Sequence, residues 1–172
     1  GYYKVTEDGV EQCLISCDDG VYRFTPPESE EQDWTVEKLV DEAASDAVLV
    51  DLDQDGEKEL ILISPFHGEH IYFYKKIDGD YKKVYTYDTA DFAHAIYGGT
   101  LLGKPAVIIG HRKGERNLLL FTWEQEKGEY QVEILDRDCG PANVFKYERG
   151  TEEVLISTNR EIDEVAMYTF EK

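Results

Sequence analysis

GEKELILIS, residues 56–64, is a glycine, a charged turn, and then a leucine and isoleucine run that closes on serine. The same order returns three more times. Gly9, Gly56, Gly103 and Gly150 stand 47 residues apart, and each precedes a short apolar segment: VEQCLIS (10–16), EKELILIS (57–64), KPAVIIG (104–110) and TEEVLIS (151–157). Self-similarity at a fixed step of this length marks a repeat architecture, in which each unit buries its apolar faces only against its neighbours.

Outward from these segments the pattern holds. Downstream of each lies a polar loop and an aromatic-rich strand: VYRF (21–24), IYFY (71–74), LLLFTW (118–123) and VAMYTF (165–170). Three units add a further segment, WTVEKLV (34–40), YKKVYTY (81–87) and YQVEIL (130–135), and upstream of each spacing glycine stands another strand candidate, YYKVT, AVLVDL, HAIYG or NVFKY. Each unit thus holds up to four short strands, here a to d, which is the content of one β-propeller blade. WTVEKLVDEAA also fits a helical period, but its aligned partners YKKVYTY and YQVEIL are poor helix formers, so the strand reading is kept. The expected fold is all-β: a single β-propeller-type domain of about four blades, each a four-stranded antiparallel sheet, with bounds near 1–45, 46–92, 93–140 and 141–172. The last unit lacks a d strand. Either the start of the chain completes it, or the chain is an arc of a larger propeller, with self-association or missing blades completing the ring.

Composition narrows the function classes. The 172 residues carry 18 Lys and Arg against 37 Asp and Glu, a formal charge of −19, which repels nucleic-acid phosphates and anionic lipid heads. Neither nucleic acid nor a membrane is an expected partner, and no stretch approaches the roughly 20 apolar residues of a membrane span. Cys13, Cys17 and Cys139 are an odd number and no Asn-x-Ser/Thr site occurs, so a cytoplasmic setting is expected over a secreted disulfide framework. Gly1 in place of Met points to a processed product, a tag remnant or a piece of something longer.

The turn between strands a and b of the second unit, VDLDQDGEKEL, places Asp51, Asp53, Asp55 and Glu59 at positions 1, 3, 5 and 9 of a loop, with Gly56 at 6 and the Glu57 carbonyl at 7. Hard oxygen donors in this order suit calcium, and the glycine allows the sharp bend. Leu62 at position 12 excludes an EF-hand, which needs a bidentate Glu there. The other units do not repeat the acids, so one calcium, bracing the turn, is expected, with no organic cofactor. A solvated bend is the alternative.

DLDQDGEKEL resembles the D-x-D-x-D-G-x-x-[DE]-L signature of FG-GAP/VCBS propeller repeats, in which the motif holds calcium between strands a and b. The run from SPFHGEHIYFY through HAIYG, GHRKGERNLLLF, GPANV and STNREIDEVAMY looks like the propeller part of aldos-2-ulose dehydratase-like proteins. That likeness implies lyase or isomerase chemistry on a sugar-derived ketone, and families of this kind usually close seven blades.

In a propeller the b-to-c and d-to-a connections emerge on the face opposite the a-to-b turns. On that face the sequence places His67, His94, His111, Arg112, Asn143, Asn159 and Arg160, a concentration of imidazole, amide and guanidinium groups in an otherwise acidic chain. Such donors suit a small polar ligand, a carbohydrate among them, or a protein partner. For the enzyme reading His94 or His111 is the candidate base, with Arg112 and Asn143 polarising a carbonyl. For the binding or scaffold reading the same groups are contacts. GGTLLGKP (98–105) matches the spacing of a phosphate loop, but Pro105 stands where Ser or Thr is required and a strand follows, so it is not one.

Overall fold

The computed structural model describes residues 1–7, 9–65 and 68–172; His67 lies outside the described residues. The first sheet runs β1 (Tyr2–Glu7), β2 (Val10–Cys17), β3 (Gly20–Thr25) and β4 (Thr35–Val40). The second comprises β5 (Asp46–Val50), β6 (Glu59–Ile63), β7 (Ile71–Ile77) and β8 (Asp80–Tyr87). The third comprises β9 (Ala93–Leu101), β10 (Lys104–His111), β11 (Leu118–Glu124) and β12 (Glu129–Asp136). β13 (Pro141–Arg149), β14 (Glu152–Asn159) and β15 (Glu164–Glu171) make a three-stranded fourth sheet. In every sheet the strands pair in chain order and antiparallel, and the four small sheets form a four-bladed β-propeller arrangement. Thr35–Val40 pairs with β3, so the segment with helical periodicity is a strand. Among the described residues no helix is long and apolar enough to cross a membrane.

Local chemistry sets the hairpins. Between β7 and β8 the loop is Asp78-Gly79, with φ of 55° and 91°, and between β9 and β10 it is Leu102-Gly103, with φ of 52° and 74°. Two central residues at positive φ make the turn whose twist matches the flanking strands, and glycine takes that conformation without steric cost.

The blades stack through strand alternation. Successive side chains of a strand point to opposite faces, and β6 buries both: Leu60 and Leu62 enter the core shared with the first sheet, while Ile61 and Ile63 enter the core shared with the third. This explains why ELILI reads as an unbroken apolar run. The core between the second and third sheets centres on rings, with Phe73 4.7 Å from Tyr130, 5.2 Å from Tyr85 and 5.4 Å from Phe121 between centroids. A third core joins Ile108, Leu118 and Leu120 of the third sheet to Val144 and Leu155 of the fourth. The first strands β1, β5, β9 and β13 lie side by side in turn, whereas β8 and β12 are largely solvent-facing outer strands.

Candidate metal centre and the histidine-bearing connections

The acidic loop links β5 to β6 at the junction of the second and third blades. Its main chain is folded by its own carboxylates: the N–H groups of Asp55, Gly56 and Glu57 donate to Asp53 Oδ1 at 3.3 Å, Asp51 Oδ2 at 3.1 Å and Asp55 Oδ1 at 2.9 Å. Gln54 takes a φ of 59° to complete the bend. The third blade holds the loop from the side, since Gln125 Nε2 donates to the Asp53 carbonyl at 2.6 Å and Tyr130 Oη lies 3.4 Å from Glu59 Oε1.

Asp51, Asp53 and Glu59 converge, each offering one carboxylate oxygen within 4.8 Å of the others. Glu59 is fully buried, and its Oε2 accepts the Leu52 N–H at 2.8 Å. Burial pushes the Glu59 carboxyl up to about 7, and the nearby Asp53 charge adds to this, while Leu52 N–H and Lys75 oppose it. Asp51 Oδ1 is shut off from solvent without a hydrogen-bond partner among the described residues. A buried carboxylate oxygen without a donor is costly, and a cation would satisfy it.

One cation is already present in the chain. Lys75 Nζ ion-pairs with Asp53, lies 2.9 Å from Asp55 Oδ2 and 3.8 Å from Glu59 Oε1. Burial disfavours its charge, but the Asp53 and Asp55 carboxylates outweigh that and keep it protonated well above the usual lysine range. Of the five residues read from the sequence as metal contacts, the structure gathers Asp51, Asp53 and Glu59, engages exposed Asp55 with Lys75, and leaves Glu57 at the surface. Lys75, Gln125 and Tyr130 were not legible as parts of this site, because each reaches it from another strand or loop.

The connections at the histidine-bearing end also meet. Arg112 N–H donates to the Phe92 carbonyl at 3.1 Å and Lys113 N–H to the Asp91 carbonyl at 3.0 Å, tying the β10–β11 loop to the β8–β9 connection. Arg112 covers the Phe92 ring at 4.7 Å and forks onto Glu161 Oε1 through Nε and Nη2, at 2.9 and 2.7 Å. His94 is exposed, its Nδ1 2.8 Å from the Ala142 carbonyl, and its ring stacks on Phe92 at 6.4 Å. Asn143 and Arg160 are exposed. Asn159 is buried, accepting from Ser157 Oγ at 2.6 Å and donating to Glu164 at 3.2 Å.

His111 is 1 % exposed. Its Nε2 accepts the Asn117 N–H at 3.0 Å, so the ring proton sits on Nδ1, which donates to the Lys113 carbonyl at 2.9 Å. Both nitrogens are spent on closing the β10–β11 loop, which leaves neither for proton transfer in this conformation. Burial holds the imidazole below its ordinary value, and a second proton would break the Asn117 bond. The unfolded chain therefore binds this proton more readily than the folded one. Stability from His111 is complete above about pH 6.5 and is lost as pH falls below it. In an NMR titration the His111 ring is expected to show a midpoint below the ordinary imidazole value of about 6.5; a midpoint at or above that value would contradict the buried clamp.

No family model and no curated protein matches the chain. What the fold and site define together is a class: a four-bladed β-propeller arrangement in which, among the described residues, Asp51, Asp53 and Glu59 form an acidic group that could hold a metal ion.

Proposed function

We propose that this protein is a calcium-braced β-propeller scaffold whose opposite face, with His94, Asn143 and Arg160 exposed, receives a small polar ligand such as a carbohydrate. The observation that carries the metal reading is the convergence of the Asp51, Asp53 and Glu59 carboxylates, together with a buried Asp51 Oδ1 that has no hydrogen-bond partner among the described residues. All-oxygen carboxylate donors favour calcium, which accepts irregular geometry, over magnesium, which demands a tighter octahedron and keeps its water. The ion would tie the β5–β6 loop to the third blade through the Asp53 contact with Gln125, a bracing role, and the loop offers no group poised for chemistry. The ligand reading rests on exposed imidazole, amide and guanidinium donors gathered at one end. The lyase or isomerase reading draws no comparable support, since His111 is a structural clamp and Arg112 is neutralised by Glu161.

The test is calorimetric titration of chelator-treated protein with Ca²⁺ and with Mg²⁺, alongside thermal unfolding. One site preferring Ca²⁺ is expected, with stabilisation of about 2.7 kcal/mol at a hundredfold excess over Kd. Asp51→Asn should remove most of the calcium response. A thermal midpoint indifferent to calcium would refute the proposal.

A further inference from the structure

We propose that the chain pairs head to tail with a second copy of itself, the open face of the fourth sheet in one copy packing on the open face of the first sheet in the other. Each internal blade junction has the same construction, with one alternating set of side chains from each sheet meeting between them. In the fourth sheet, Val144 and Leu155, with Tyr168 and Phe170, supply the set that meets the third sheet. Among the described residues no sheet packs extensively against the opposite set. Phe145, Ile156 and Met167 stand directly opposite one another across β13, β14 and β15, with Tyr147 and Val154 on one side of this row and Val165 on the other. Directly opposed residues share a face, so Phe145, Ile156, Met167, Tyr147 and Val165 make one apolar surface, while Val154 on the same face is itself fully buried. Phe145 is 64 % exposed, Met167 55 % and Val165 70 %.

The first sheet is its counterpart. Val5, Leu14 and Val21 enter the core with the second sheet. On the other face Tyr2, Ile15 and Tyr22 form one row across β1, β2 and β3, and Cys13, Phe24 and Val36 form the next. Tyr2 is 65 % exposed and Val36 51 %. Among the described residues the extensive contacts between elements run from first to second, second to third and third to fourth sheet, and none of that extent joins fourth to first. The chain therefore carries both halves of an inter-blade core, one at each end. Apolar patches of this kind are rare on a monomer's surface and mark interaction sites.

A second copy is the occupant that continues an interface already built three times within the chain: fourth-sheet side chains of one protomer meet first-sheet side chains of its partner, as third meet fourth. Two copies joined this way at both ends form a closed ring, in which each row is covered. The −19 charge of each copy opposes the encounter, so association must strengthen with salt, which shortens the reach of that repulsion to about 8 Å at physiological ionic strength.

The experiment is sedimentation equilibrium of the full chain at low and at physiological salt, with thiol cross-linking. A mass of twice 19.8 kDa is expected, with tighter association at the higher salt. Met167→Glu should weaken association at least tenfold while its circular dichroism stays unchanged, because Met167 is exposed in the single chain. In Met167→Cys a short bismaleimide should join the introduced thiol to Cys13 of the other copy, and Cys13→Ser should remove that product. A monomer at every salt concentration, which would leave both faces to some other polypeptide, overturns the proposal. So does a dimer whose cross-links join only like positions.

Discussion

Phe73→Ala is expected to lower the thermal midpoint by roughly 10 °C, since removing a buried phenylalanine costs about 3–5 kcal/mol and each kcal/mol moves a domain of this size by about 2–4 °C. Phe73 is fully buried at the junction of two blades, with Phe121 and Tyr130 of the third sheet against it. Three rings around a hole cannot collapse into it without leaving their rotamers, so the cost should fall in the upper part of the range. Phe73→Leu keeps much of the volume and should cost less than half as much. Circular dichroism melts of the two variants decide the matter. A shift under about 3 °C for the alanine variant would mean that the second and third blades do not share this core.

Lys146→Ala should be nearly as damaging, at about 3 kcal/mol, because it strips a buried carboxylate of its main counter-charge. Glu153 is 1 % exposed, accepts the Leu102 N–H of the third blade at 2.9 Å, and lies 3.2 Å from Lys146 Nζ. Lys172 Nζ at 3.7 Å softens the loss, which is why the lower end of the usual range is expected. Burial alone would raise the Glu153 carboxyl, but the Leu102 N–H, Lys146 and Lys172 together hold it below the ordinary value. The stability this confers is present above about pH 4.3, the unfolded value, and is lost as pH falls through the folded one. The gap between wild type and variant should therefore narrow in acid. Combining Lys146→Met with Glu153→Gln should recover part of the loss, since no unpaired charge remains and the amide oxygen still accepts from Leu102. Urea unfolding at pH 7 and pH 3.5 tests both points; a gap unchanged by pH would place the effect elsewhere.

The repeat was readable because β6 must be apolar on both faces, so ELILI and its counterparts stand out against polar turns in any register. The faces themselves were not readable. A step of 47 lays Ile109 on Ile156, yet Ile109 is buried in the core with the second sheet while Ile156 lies on the open face of the fourth. Gly103 is the second loop residue of its hairpin and Gly150 the first, so β10 opens at Lys104 and β14 at Glu152. A displacement of one residue exchanges the two sides of a strand, and glycine spacing cannot see it. The acidic loop was legible as a group of donors, because alternating aspartates around a glycine have few other uses. Which oxygens converge was not, since Glu59 is drawn inward by the Leu52 N–H while Asp55 stays exposed and pairs with Lys75, a residue of another strand. The role of His111 was invisible for a similar reason. Its partners are main-chain groups, and main-chain groups leave no mark in a sequence.

Lys75 also bears on the metal uptake proposed here. With its ammonium already seated among Asp53, Asp55 and Glu59, the divalent ion proposed above would meet a resident cation, and its binding would be an exchange of one cation for another. Under the calcium proposal, the tethered amine would keep the loop organised without the ion, and the ion would reinforce a fold that already stands. On the same proposal Lys75→Met is expected to reverse that order, raising calcium affinity in a calorimetric titration while lowering the thermal midpoint of the calcium-free protein.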